Sequence, residues 1–163
     1  MQTPLHRVAG VVVLACLAIA GSAIAQGPDR MIGRWELNVA KSTFSPGPGP
    51  KSDIRTYEDR GGGITIITLE GMNAQGNPTG SVITVKYDGK DYPIVPRNGE
   101  TTTMISYKRV DANTVAYSTK QGGKVLTNAT KTLSADGKTL THQVKGTNAQ
   151  GQAVNNVLVF EKR

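Results

Sequence analysis

Apolar and polar positions alternate with a period of two along most of the chain after Gly33. In Arg34 to Val39 the residues Trp35, Leu37 and Val39 fall on one face, as in a half-buried strand. Ser45-Pro46-Gly47-Pro48-Gly49-Pro50 breaks the pattern, because alternating Pro and Gly continue neither strand nor helix. Strand-like runs then follow at Ser52 to Glu58, Ile64 to Glu70 and Val82 to Tyr87. A short Tyr92 to Val95 run between Pro93 and Pro96 suits an edge or a bend. Thr101 to Val110, Thr114 to Lys120, Lys124 to Leu133, Lys138 to Lys145 and Asn155 to Glu161 complete the series. Turn signals separate them, among them Gly61-Gly62-Gly63, Asp88-Gly89, Gly122-Gly123 and Asp136-Gly137. Thr, Val and Ile dominate the runs, and no window carries helical periodicity. The expected fold is all-β and antiparallel, with about eight to ten strands.

Gly71-Met72-Asn73-Ala74-Gln75-Gly76 recurs as Gly146-Thr147-Asn148-Ala149-Gln150-Gly151, an offset of 146 − 71 = 75 residues. The match extends outward, Leu69 to Val144, Val82 to Val157 and Ile83 to Leu158. A duplicated hairpin and turn convergence both account for it. The repeat orients the ambiguous strands. Leu140, His142 and Val144 share an inner face, and by the offset so do Ile67 and Leu69. Alternation adds Ile105 with Tyr107 and Val115 with Tyr117, so Tyr87, Tyr107, Tyr117 and His142 are expected to point inward. An exposed Val157-Leu158-Val159-Phe160 strand would invite edge-to-edge association. Closing the first strand on the last removes both edges, and the expected architecture is an up-and-down barrel.

The first residues add an address. Arg7 is a positive n-region, Val8 to Ala20 an apolar h-region, and Ala23-Ile24-Ala25 a cleavage site. Residues 1–25 are read as a signal peptide and 26–163 as one barrel domain, exported to a periplasmic or extracellular space. A lipoprotein signal ending at Cys16 is the rival, disfavoured because the apolar run continues through Leu17, Ala18 and Ile19. Cleavage after Ala25 removes the only cysteine, so thiol chemistry and disulfides are excluded from the mature chain. Its net charge is 7 − 1 = +6, because the signal carries one basic residue, Arg7, and no acidic one. Those charges are scattered, which argues against nucleic acid. No apolar run in 26–163 is long enough for a transmembrane helix.

Gly33-Arg34-Trp35 opening the first strand resembles the Gly-x-Trp signature of the calycin superfamily, which includes lipocalins and fatty-acid-binding proteins. The wider pattern, through Tyr87-Asp88-Gly89-Lys90 to Val159-Phe160-Glu161-Lys162, is similar to a group of small secreted bacterial proteins. The resemblance implies a lipocalin-like barrel in which Trp35 plugs one end behind Gly33, with Lys162 or Arg163 packed across the indole. Two family features are missing. Leu158-Val159-Phe160 stands where fatty-acid-binding proteins carry Arg-x-Tyr, and no helix-turn-helix lid is present, so fatty-acid binding of that kind is not expected.

The candidate binding residues are Tyr87, Tyr107, Tyr117 and His142, a polar-tipped lining for a small amphipathic molecule. Ordinary packing is the competing account of each. Arg55 and Tyr57 share a face and could clasp an anion, but the preferred pattern turns Ile54 and Thr56 inward and leaves Arg55 exposed. Arg109 is expected to be solvated. No catalytic motif, metal-ligand set or cofactor signature is present, and the chain is not expected to be an enzyme. A binding barrel for a small, partly apolar ligand is the first reading. The second is a protein-interaction module, such as a barrel-type protease inhibitor inserting residues 26–32 into a protein partner that the sequence does not identify.

Overall fold

The computed structural model describes residues 29–163. The expected signal peptide, its cleavage site and Cys16 lie outside the described residues.

Ten strands form one closed antiparallel barrel: β1 (Gly33–Leu37), β2 (Ser52–Asp59), β3 (Thr65–Met72), β4 (Pro78–Val85), β5 (Asp88–Pro96), β6 (Thr103–Arg109), β7 (Thr114–Gln121), β8 (Lys124–Leu133), β9 (Thr139–Thr147) and β10 (Ala153–Lys162). Each strand pairs with its neighbours in sequence, and β1 pairs with β10 through Trp35↔Lys162, Glu36↔Glu161 and Leu37↔Phe160. The expected closure is therefore present, and every described strand pairs with a neighbour on both sides. The seam between β4 and β5 is short. It holds only Ser81↔Pro96, Val82↔Val95 and Ile83↔Ile94. Pro93 and Pro96 supply no N–H to a ladder, and β5 bulges between Asp88 and Asp91. Below Ile83 the hairpin splays, and Tyr87 sits in the bend between the two strands rather than at the end of a strand.

Two expectations about β1 and β5 change. Val39 does not continue the first strand. It enters a 3₁₀ turn, Val39–Lys41, capped by the Asn38 side chain, and is 42% exposed. The short Tyr92 to Val95 run is the middle of a nine-residue strand.

The two similar turns match in detail. Asn73 Oδ1 accepts from the N–H groups of Gln75 and Asn77, and Asn148 Oδ1 from those of Gln150 and Gln152. Gly71 and Gly146 both lie where a neighbouring strand comes very close. A Cβ would stand 2.2 Å from the Ser52 carbonyl oxygen at Gly71 and 2.1 Å from that of Leu126 at Gly146. Sequence similarity here reflects the same backbone requirement, met twice.

One barrel end is sealed. Trp35 and Met31 are fully buried, and the indole N–H donates to the Met31 carbonyl at 2.9 Å. Lys162 Nζ lies 5.2 Å from the indole ring and donates to the Arg30 carbonyl at 3.3 Å. Gly33 leaves room for that lysine, since a Cβ there would sit 3.1 Å from Lys162 Cε. Arg163 turns outward instead, its Nε 2.7 Å from Glu36 Oε2. Residues 29–32 form a strap under this end, held by an Asp29–Arg109 ion pair and by Arg30 Nη2 donating to the Ala135 carbonyl at 2.9 Å. At the other end the Pro/Gly loop runs along β10, with Thr43 and Val157 exchanging backbone hydrogen bonds of 2.8 and 3.0 Å, and Phe44 packs onto the core.

Candidate functional site

The ladder register decides which side chains line the interior, because paired residues share a face. Tyr107 pairs with Tyr117, Tyr117 with Ala129, Lys131 with His142, and His142 with Leu158. Tyr107 and Tyr117 therefore face the same interior as His142, and Tyr87 joins them from the β4–β5 bend. The rings form a continuous series across the barrel. Tyr87 to Tyr107 is 5.7 Å between centroids, Tyr107 to Tyr117 5.2 Å, Tyr117 to His142 5.7 Å, and His142 to Phe160 5.1 Å.

The register also overturns one expected face. Tyr57 pairs with the buried Ile67 and Arg55 with Leu69, so β2 turns Arg55 and Tyr57 inward and Ile54 and Thr56 outward. Both alternations of β2 place two plausible residues inside. The neighbouring β3, whose Ile67 and Leu69 are unambiguous, selects between them. Arg109 is likewise not solvated. Its side chain is 17% exposed, pairs with Asp29, and lies with its guanidinium carbon 4.5 Å from the Tyr87 ring centroid.

Arg55, Tyr117 and His142 form one hydrogen-bonded group. Arg55 Nη2 is 2.7 Å from Asp53 Oδ2, and its Nη1 is 3.3 Å from His142 Nδ1. The Tyr117 hydroxyl lies 3.0 Å from the same nitrogen. A guanidinium only donates, so Nδ1 must be the unprotonated, accepting nitrogen of a neutral imidazole. The proton is then on Nε2, and this buried N–H has no acceptor among the described residues. Burial holds His142 well below the usual histidine range, and the nearby charge of Arg55 acts in the same direction. Burial likewise raises the phenols of Tyr57, Tyr87, Tyr107 and Tyr117, keeping them protonated.

Lys131, absent from the candidates above, is fully buried. Its Nζ lies 4.2, 5.1 and 4.9 Å from the ring centroids of Tyr57, Tyr87 and Tyr107 and donates to the Tyr87 hydroxyl at 3.3 Å. Among the described residues no carboxylate forms a salt bridge with it. Burial lowers its pKa well below the usual lysine value, and Arg109 and Arg55 add to that against an opposing contribution from Asp29. Ring faces favour the charged form by about 2 kcal/mol when desolvated, against a desolvation penalty of several kcal/mol per ion. Desolvation prevails, and Lys131 tends toward the free amine. The signal for it was legible, since Ala129, Lys131 and Leu133 alternate on one face of β8.

Two concavities lie on the barrel surface. One of about 570 Å³ spans the outside of β6 to β9, floored by Ala116, Ser118 and Thr130 and flanked by Lys108 and Lys145. Another of about 210 Å³ lies by β2 to β4 near Pro50, Asp53 and Leu69. Among the described residues no group of three or more His, Cys, Asp or Glu could hold a metal ion, and no helix is long and apolar enough to cross a membrane.

No protein-family model matches the chain, and no curated protein matches it. Solved structures do. The wild-type fluorescent protein UnaG superposes with a TM-score of 0.56 at 13% identity, over 82% of this chain and 98% of that one. A mutant of UnaG gives a TM-score of 0.56 at 12% identity, over 82% and 96%. At such identities the likeness concerns the backbone alone. The fold is a closed ten-stranded antiparallel barrel of the fatty-acid-binding-protein-like kind.

Proposed function

We propose that the protein is an exported binding barrel for a small, partly apolar molecule that presents a hydrogen-bond acceptor to the interior. The observation that carries this reading is the free Nε2–H of His142, fully buried and without an acceptor among the described residues. An unsatisfied buried donor costs about 1–3 kcal/mol, and a ligand oxygen would recover that amount. Arg55 and Tyr117 fix the donor's direction by holding Nδ1. The series of tyrosines supplies apolar faces with polar tips, which suits an amphipathic or aromatic body. Many side chains fill the interior, so entry of a ligand requires rotation of at least some of these rings.

The test uses 1-anilinonaphthalene-8-sulfonate, an aromatic probe with an acceptor group. Saturable one-to-one binding is expected, weakened about tenfold in His142→Ile, the equivalent of about 1.4 kcal/mol. Absence of saturable binding, or equal affinity in the variant, contradicts the reading. The inhibitor alternative has less support. Residues 29–32 of its proposed inserting segment are bound under the sealed end, with Met31 fully buried.

A further inference from the structure

Lys131 plays no part in the binding just described, yet it is the least ordinary group in the molecule. Three tyrosine rings surround its Nζ within 4.2 to 5.1 Å, and its hydrogen bond goes to a phenol. Asp29, the acidic residue whose charge bears most on it, is engaged with Arg109. The β4–β5 ladder ends at Ile83↔Ile94, and below that point Tyr87, itself against Nζ, occupies the splayed bend. Reaching the amine from there requires the Tyr87 ring to rotate outward, away from the Arg109 guanidinium 4.5 Å from its centroid.

We propose that Lys131 captures carbonyl compounds, its Nζ forming a reversible imine with an aldehyde ligand admitted past Tyr87. The inference rests on the barrel interior being open to small molecules, as in the reading above. The Nζ lone pair forms a bond to the carbonyl carbon, and the carbonyl π pair moves to oxygen. One Nζ proton passes to that oxygen. The resulting carbinolamine loses its hydroxyl together with the second Nζ proton as water, leaving C=N. Amine plus aldehyde gives imine plus water, and no oxidant or reductant enters. Burial favours the neutral amine with its free lone pair, and it excludes the bulk water that would hydrolyse the imine.

The experiment incubates the intact protein with hexanal and sodium cyanoborohydride at pH 7 and locates alkylated lysines by peptide mass spectrometry. The amino terminus is mapped separately, because α-amines are also partly deprotonated there. Lys131 is expected to be alkylated at least about tenfold faster than any surface lysine, the ratio that one unit of pKa difference gives. Its labelling should rise less steeply between pH 7 and 9 than surface labelling does. Tyr87→Ala should accelerate it, and Lys131→Met should abolish it while hexan-1-ol still competes with the naphthalene sulfonate probe. Labelling spread over surface lysines with no preference for Lys131 overturns the proposal. If hexan-1-ol still binds in that case, the barrel remains a binding protein and only the covalent step is wrong. If neither aldehyde nor alcohol enters, both readings fall. The pH profile needs no variant, so misfolding of a mutant cannot obscure the outcome.

Discussion

The β2–β3–β4 and β8–β9–β10 units share a scaffold and differ in what they put on it. Their hairpins turn on equivalent asparagines, and each has a glycine pressed against the preceding strand. At equivalent places, however, the first unit pairs Tyr57 with Ile67 and the second pairs Lys131 with His142. The two units meet inside the barrel, with Lys131 Nζ over the Tyr57 ring at 4.2 Å and Arg55 reaching His142 at 3.3 Å. Backbone constraints thus repeat where the chain must turn, while the interior is free to diverge. The second unit places its two titratable groups deep inside the barrel, where stability alone favours carbon.

The strongest test of the shared scaffold is to add one carbon to each unit. Gly146→Ala and Gly71→Ala should each cost about 3 kcal/mol, at the upper end for overpacking a tight site. Thermal melts check it, and a loss at one site alone would break the equivalence. Gly146 should suffer more, since its φ of 148° adds backbone strain that Gly71 lacks.

The next test concerns chemistry. Lys131→Met replaces a poorly partnered buried amine with an apolar chain of similar length, and should stabilise the protein by about 1–4 kcal/mol. The sign follows from linkage. A lysine whose folded pKa is depressed weakens the folded state wherever the unfolded chain binds a proton that the native state does not, a deficit that shrinks as pH rises toward 10.5. The gap between variant and wild type should therefore narrow between pH 7 and 9.5, as measured by denaturant titration. A destabilised variant would mean that Lys131 is charged and held by the rings.

His142 gives a smaller effect of the same kind. Its folded pKa is depressed, so its contribution to stability is fully present above 6.5 and is lost as pH falls below that value. His142 adds at most about 1.4 kcal/mol per pH unit to the slope from Lys131, and His142→Gln should remove that increment. Arg55, Lys131 and Tyr117 are the charged and titratable groups that face the imidazole. The smallest expected effect is at the sealed end. Lys162→Met should cost about 0.5–1 kcal/mol through the indole contact, and Arg163→Ala less, as for an exposed ion pair.

Much of this fold was legible because its signals are local and redundant. Thr/Val/Ile alternation marked the strands, Gly and Asn the turns, and the edge argument joined β1 to β10. Trp35 and Lys162 followed from the Gly-x-Trp resemblance. What escaped shares one cause. Arg55, Arg109 and Lys131 were assigned outside, or passed over, because a charge read alone favours water. Only the register of neighbouring strands shows that each shares a face with Leu69, Val115 or His142. Val39 failed for a different reason. The Asn38 side chain caps a 3₁₀ turn there, and a local hydrogen bond overrides the alternation.

The account turns on the protonation of one ring. Nitrogen-15 spectra of labelled histidine, with His142 assigned from the His142→Gln variant, report it directly. The account predicts a neutral His142 imidazole protonated on Nε2 at pH 7, with that nitrogen shifting when the naphthalene sulfonate probe saturates the protein. A charged imidazolium, a proton on Nδ1, or an Nε2 indifferent to saturating probe would contradict it.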